Sequence, residues 1–560
     1  MSFERHGRRH DPTLNYLTLR RRREMDLIRR SKSFPAAYIL CVTLHVILPR
    51  AVPAVDLGSD ARQRWCDDAT PYPSTCAHYM GSDALGDAEA ERLHATSLRV
   101  AADQAALALA DVQTRRLERS GRAGQAWSDC RQLVASAVGH LNRTAAIASG
   151  SDMLAWLSAA RTCLDTCLTG FAELGASPGP DFQGVLANTS RLVTNALAVT
   201  ALRDETTLKD KEHAGADVAS GQGWLRPDND DGRVFLQGRL VSPGDADLVV
   251  AKDGTGHFCT VGEAVEAAAK RGNGGKVVVY VKAGVYNEYI EVWTSNLVLV
   301  GDGIGRTVIT GNRSVRDGYT TFSSATFAVN ADGFVARGVT FRNTAGCGAQ
   351  QAVALRASAD RLAFYRCSFE GHQDTLYAHT LRQFYRECVV AGTVDFVFGN
   401  AAAVLQHCSL RVRRPLPGQP AVVTAQGRVD QYERTGFGVH GGVVSAAAKF
   451  GPGGAHAPFR AYLGRPWKEF SRVVYMEAYM DSTVDAAGWL QWGGTEFAQG
   501  TAFYGEYRNT GPGSNTSGRV RWGGYHVITD PGEASEFTAA GLLDAGSWLG
   551  STGVPCTPGL

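Results

Sequence analysis

Two aspartates at one repeat position are the residues of this chain best placed to do chemistry. Cys367, Cys388 and Cys408 stand 21 and 20 residues apart, each inside a short apolar run: Arg366-Cys367-Ser368-Phe369, Glu387-Cys388-Val389-Val390 and His407-Cys408-Ser409-Leu410. Asp374 follows Cys367 by seven residues, and Asp395 follows Cys388 by seven. A β-rich period of roughly 20 to 30 residues signals a solenoid, and the natural candidate is a parallel β-helix. Its coils stack at about 4.8 Å, so Asp374 and Asp395 fall on consecutive coils at one strand spacing. Two carboxylates that close seldom both ionise, because each raises the other's pKa, and a neighbouring cation selects the one that stays anionic. Such a pair suits a nucleophile with a general acid, or the two carboxylates of glycosidic cleavage. The cysteines themselves read as a stacked core column rather than a metal site.

Elements of two kinds must carry this pair. Of 63 glycines, 17 lie in residues 1–243 and 46 in residues 244–560, which argues for a helical first part and a turn-rich β second part. Between Pro73 and Pro178 there is no proline, and segments such as 88–119 are rich in Ala, Leu, Glu and Arg with apolar residues at helical spacing (Leu93, Leu98, Val100, Ala105, Leu107). A helical bundle over 60–202 follows, with no catalytic pattern in it. Residues 203–246 mix Lys, Asp, Gly and Pro and read as a linker. Beyond Leu248 come short β-branched or aromatic runs divided by Gly, Asn and Asp, among them 276–280, 297–300, 334–341, 361–369, 383–390 and 404–412.

The first 33 residues hold ten Lys and Arg against four acids, so the remainder of a chain with net charge +2 is slightly acidic, which excludes a strongly basic nucleic-acid binder. An apolar run over 34–48 follows. It is short for a membrane span, which needs about 20 residues, and fits a secretory signal with a cleavage site after Ala54; a signal anchor is the alternative. Twelve cysteines and the sequons at Asn142, Asn188, Asn312 and Asn515 suit an oxidising, glycosylating compartment. There is no Cys-x-x-Cys or His-Glu-x-x-His pattern for zinc, and no Gly-x-Ser-x-Gly elbow for a serine esterase. Gly301-Asp302-Gly303-Ile304-Gly305 is read as a β-helix turn rather than a phosphate loop, since Arg306 stands at the third glycine position.

Five ordered segments carry a family resemblance: Gly284-Val285-Tyr286-Asn287-Glu288, Gln351-Ala352-Val353-Ala354-Leu355-Arg356, Gly371-His372-Gln373-Asp374-Thr375-Leu376, Asp395-Phe396-Val397-Phe398-Gly399 and Leu463-Gly464-Arg465-Pro466-Trp467. From about residue 247 to the C-terminus the chain resembles plant pectin methylesterases. Its first half is similar to the pectin methylesterase inhibitor domain, on Cys66, Cys76, Cys130 and Asp165-Thr166-Cys167-Leu168. The resemblance implies a right-handed parallel β-helix over 247–560 that hydrolyses methyl esters of homogalacturonan to pectate and methanol. It implies Asp395 as nucleophile, Asp374 as proton donor and later base, Gln351 and Gln373 as oxyanion donors, Arg465 as the cation pairing with Asp395, and Trp467 as a substrate-contacting aromatic. Gln351 is not at the repeat offset of the aspartates, so its place rests on the resemblance.

No metal and no cofactor are implied. The expected partners are pectin, a subtilisin-like processing protease acting near the degenerate site Gly238-Arg239-Leu240-Val241, and a separate inhibitor protein; no nucleic acid is expected. Secretion to the cell wall is expected, with transient Golgi anchoring of the precursor as an option, and the helical domain would act as an internal inhibitor or a secretion checkpoint. A β-helix glycoside hydrolase, a calcium-dependent lyase and an inactive pectin-binding protein remain as alternatives, although paired glutamines and an Asp–Arg couple favour acyl transfer. Cys163, Cys347 and Cys556 depart from the family pattern. The pairings expected are Cys66 with Cys76 and Cys130 with Cys167.

Overall fold

Stretches of good helix formers give the main helices of the described residues: the short α1 (Pro73–Tyr79), then α2 (Asp87–Thr114), α3 (Gly121–Thr144), α4 (Gly150–Glu173) and α5 (Pro180–His213). The computed structural model describes residues 66–79, 87–114, 121–144, 149–213, 235–236, 239–240, 242–271, 274–447 and 459–560. The basic leader, the apolar run over 34–48 and the cleavage site expected after Ala54 lie outside the described residues. Ser149 caps α4 by accepting the Asp152 N–H, and Pro180 opens α5, where a missing N–H costs nothing. The hairpin of α3 and α4 is stapled by Cys130–Cys167, and Cys66–Cys76 ties the segment ahead of α1, the two pairings expected. Trp127 of α3 fills the bundle between Phe171 and Phe182, with ring centroids at 4.9 and 5.1 Å.

One boundary is corrected. The linker expected from residue 203 begins with helix, because α5 runs on to His213. The segment is charged, but Leu, Lys, Glu and Asp continue a helix that packing has already nucleated. Within the same expected linker, Phe235–Leu236 pairs antiparallel with Arg239–Leu240.

Parallel sheets of 11, 8 and 7 strands make the second half, each coil adding one strand to each sheet in turn over most of its length. The seven-stranded sheet is built from β1 (Ile290–Val292), β2 (Phe327–Val329), β3 (Leu355–Ala357), β4 (Leu376–Ala378), β5 (Val397–Gly399), β6 (Ala421–Gln426) and β7 (Ala461–Gly464), paired in that order. Ser368, Val389 and Ser409 are register partners in the eight-stranded sheet, which stacks Cys367, Cys388 and Cys408 on successive coils. All three are buried, and the Cys367 N–H donates to Cys388 Sγ, so the column is core as expected. Beside it Phe341 stacks on Phe369 and Phe364 on Tyr385. The turn at 301–305 is a β-helix corner: a Cβ on Gly301 would lie 2.6 Å from the Gly338 carbonyl oxygen, and Asp302 accepts from Tyr280 Oη and the Ala283 N–H.

The main apolar cluster of the β-helix is drawn entirely from its own residues, Leu248 to Tyr504, and the outer face of the 11-stranded sheet is closed by Leu542, Leu543, Trp548 and Leu549. The bundle meets the β-helix through one face of α4, with Asp129 and Arg143 of α3 and Asp204 of α5 also reaching across. Asp152, Ala155, Ala159, Thr162, Thr166 and Glu173 recur at helical spacing on that face, and Ala155 and Ala159 pack against Leu381, just after β4.

Candidate active site

The β-helix register brings the two aspartates together. Leu376 of β4 pairs with Val397 of β5, so Asp374 and Asp395 occupy the same position two residues ahead of each strand. Both adopt left-handed backbone, at φ 61° and 51°, as do Arg366, Glu387 and His407 at other corners of successive coils. The turn is fixed by the Asp374 N–H donating to the Val394 carbonyl and by the Thr375 hydroxyl reaching the carbonyls of His372 and Ala391.

Arg465 follows β7 directly, and its backbone N–H is bonded to the Thr424 carbonyl in β6. From there its fork grips one aspartate only: Nε to Asp395 Oδ1 at 2.8 Å and Nη2 to Oδ2 at 2.6 Å. Burial raises both carboxyls. In Asp395 the two Arg465 bonds and its charge oppose the rise. Asp374 is pushed well above the usual carboxylate range by burial first, then by the Asp395 charge and by Glu173 of the bundle, with only a distant pull from Arg465. Asp374 therefore takes the shared proton, and Asp395 keeps the charge.

Gln373 precedes Asp374, and its carbonyl accepts the Ala352 N–H, which sets Gln351 on the coil before and one residue out of step with Gln373. Both glutamine side chains are half-buried. Trp467 lies across the backbone at Gly427, where a Cβ would come within 2.6 Å of its ring, and meets Phe398 edge-on at 6.0 Å. Gln351, Gln373, Asp374 and Asp395 thus precede β3, β4 and β5, and Arg465 and Trp467 follow β7 of the same sheet.

Several partners escaped the sequence reading. Trp492 covers the Arg465 guanidinium at 4.5 Å, so one face of the cation is screened from water. Tyr377 of β4 and Phe398 of β5 stack at 4.2 Å as register partners on the outward face of the sheet. That pair was legible, since both stand three residues after an aspartate of the repeat. Trp492 lies outside the repeat, and no spacing signals it.

The bundle sits on this face. Asp165 pairs with Lys468 at 2.8 Å, next to Trp467. Thr166 Oγ1 lies 3.0 Å from His379 Nε2, and Thr162 Oγ1 accepts from Asn400 Nδ2 at 2.8 Å. Glu173 accepts the Thr321 N–H at 2.8 Å, and Asp129 of α3 accepts the Thr320 hydroxyl. Burial lifts Asp129 to about 6 and also raises Glu173, while it holds His379 well below the ordinary histidine range and so neutral.

Comparison with known proteins agrees with this architecture. Residues 247–546 match the Pectinesterase family model, and residues 60–199 match that of the plant invertase/pectin methylesterase inhibitor family. Pectinesterase 2 of Citrus sinensis is 44% identical over 505 residues, covering 89% of this chain and 94% of that protein. Probable pectinesterase/pectinesterase inhibitor 17 of Arabidopsis thaliana is likewise 44% identical over 505 residues, covering 89% of this chain and 94% of its own. Among solved structures, pectin methylesterase from carrot is similar with a TM-score of 0.54 and 48% identity, over 56% of this chain and 98% of that one. The carrot chain thus corresponds in extent to the β-helix, which agrees with the self-contained core seen here. With a family match over more than half its length, an inhibitor-family match ahead of it and the parallel β-helix itself, this chain belongs to the pectinesterase family and is a pectinesterase enzyme.

Proposed function

We propose that residues 247–560 hydrolyse the methyl esters of homogalacturonan with Asp395 as nucleophile and Asp374 as acid and then base. The observation that carries this reading is the asymmetry of the pair: one guanidinium, two bonds, both to Asp395. An anionic Asp395 oxygen attacks the ester carbonyl carbon, and the carbonyl electrons move onto oxygen. Side-chain amides of Gln351 and Gln373 donate to that oxyanion, a contribution on the order of 3 kcal/mol each by analogy with measured oxyanion donors. Collapse expels methoxide, which leaves as methanol with the proton of Asp374, and an acyl–Asp395 anhydride remains. Asp374, now a carboxylate, takes a proton from water, whose oxygen attacks the anhydride. The products are a free galacturonate carboxylate and restored Asp395; Asp374 ends protonated, and the product carboxylate accounts for the proton that the reaction as a whole releases. Trp467 is assigned as a wall against which the sugar ring lies.

The same face of the β-helix supports a second reading, that the bundle is an internal inhibitor. Five of its side chains bond to groups of the β-helix across this interface, and the Glu173 charge reaches Asp374 and raises it. Release would follow proteolysis in the segment containing Arg239, and secretion to the cell wall is part of this proposal. The test is methanol release from methylated pectin by residues 247–560 carrying Asp395→Ala. Abolished release with an unchanged melting temperature is expected, and a rate near wild type refutes the nucleophile assignment.

A further inference from the structure

One coil before Asp374, the outward face of the seven-stranded sheet carries a guanidinium that the reaction above does not use. Arg356 is the central residue of β3, flanked by Leu355 and Ala357, whose side chains enter the core. It therefore points outward, and its register partner on β4 is Tyr377, which pairs in turn with Phe398. Arg356 thus continues the Trp467, Phe398 and Tyr377 track along the helix axis. It lies over the Phe322 ring at 3.5 Å and donates from Nη1 to Asn330 Oδ1 and Ser358 Oγ, both neutral.

Its charge has no bonded counterion. Arg356 is 1% exposed, and its Nε is buried without a partner. Among the described residues no carboxylate pairs with it: those that feel its charge are Glu291, two strands away on β1, and Asp129 in the bundle. Arginine is almost never fully buried unless paired, because a cation taken out of water needs a compensating partner. The cover is at least partly the bundle, since Asp129 of α3 and Cys163 of α4 both sit within the reach of this charge. With the bundle in place a carboxylate, Asp129, stands near the guanidinium; with the bundle gone that carboxylate is gone too.

We propose that Arg356 is a carboxylate-binding subsite, which takes a galacturonate that has already lost its methyl ester while an esterified neighbour lies at Asp374 and Asp395. A guanidinium presents a planar fork to a carboxylate, and the Nε edge of this one is uncommitted. The subsite stands about one strand spacing from the coil of Asp374, within reach of a sugar close to the reacting one on the same chain. The product of one turnover is then a ligand for the next, which favours partly demethylated pectin and consecutive action. This inference rests on the pectinesterase reading for its substrate class.

The test uses residues 247–560 with Arg356→Gln and Arg356→Lys, assayed on fully methylated and on half-demethylated galacturonan oligomers of equal length. Charge-assisted hydrogen bonds contribute enough to expect KM for the half-demethylated oligomer to rise about tenfold in Arg356→Gln. A much smaller change is expected on the fully methylated oligomer, with partial recovery in Arg356→Lys. Equal losses on both substrates, or none on either, overturn the subsite. Calorimetric titration with fully demethylated oligogalacturonate reads the same site without turnover: binding about tenfold weaker in Arg356→Gln is expected, and equal affinity contradicts the proposal. If the wild type releases no methanol at all, the pectinesterase reading fails while the titration still decides the subsite.

Discussion

The bundle and the β-helix place carboxylates on the same face of the β-helix by opposite means. In the β-helix the site is made by register: two aspartates recur because the coil recurs, and a third strand end supplies Arg465 to hold one of them charged. In the bundle, Asp165 and Glu173 come from one helix and bond to groups across the interface, while Asp129 from the neighbouring helix divides its oxygens between Gln125 of its own helix and Thr320 across the interface. The β-helix therefore contains its own electrostatic solution, whereas the bundle borrows one. Chemistry needs a charge that is fixed whatever covers it; the carboxyls of the cover are instead lifted by burial at the interface, so their protonation bears on docking.

The largest effect that would break this comparison is in the catalytic pair. Asp395→Ala in residues 247–560 should lower kcat by on the order of 10⁴-fold or more, as removal of other enzymatic nucleophiles does. Asp374→Ala should cost about 10²- to 10⁴-fold, the usual range for a general acid. A methanol assay reads both, and comparable small losses would dissolve the distinction between the two aspartates.

Next comes the bundle's own staple. Replacing Cys130 and Cys167 by Ala should destabilise the bundle by about 3 to 4 kcal/mol for a loop of this length. Calorimetry should show the β-helix transition unmoved, because its core shares nothing with the disulfide. A shift of both transitions would mean that the two regions fold as one.

Acidity should tighten the cover. Asp129, which faces Thr320, Ser323, Gln125 and Arg356, is raised by burial to about 6 from 3.8. A carboxyl whose pKa is raised on docking favours docking below its free pKa and loses that contribution as pH rises through the docked value. Bundle affinity, measured by titrating a separately supplied bundle onto residues 247–560, should be highest near pH 4 and decline to about pH 6. Asp129→Asn should flatten that limb. The Asp374 proton shows the converse: Glu173 helps to raise it, so the alkaline limb of activity should move to lower pH when the bundle is absent.

The smallest effect is the Asp165–Lys468 pair, each about a quarter exposed. Asp165→Ala in the full chain should raise methanol release only a few-fold, since exposed pairs contribute about 1 kcal/mol or less.

How far the sequence revealed this molecule follows the same division. The cysteine spacing fixed the coil period, and with it the Asp374–Asp395 alignment, because a parallel register preserves sequence offset from coil to coil. Arg465 and the glutamines were legible only through family resemblance, since their contacts cross between strand ends that no period links. The extension of α5 past residue 203 is not legible because the polar Lys, Asp, Gly and Pro mixture of 203–246 reads as one linker, although its first residues are good helix formers. Trp492 stayed hidden because its partner lies 27 residues away with no pattern between them. The docking face of α4 could have been noticed: Ala155, Ala159, Thr162 and Thr166 form a stripe of small residues at helical spacing.

The most direct test of the central claim measures two products at once from highly methylated pectin incubated with residues 247–560. Ester hydrolysis by the Asp395–Asp374 pair predicts methanol in step with titrated acid and no new reducing ends. Reducing ends or unsaturated sugars appearing without methanol would contradict it.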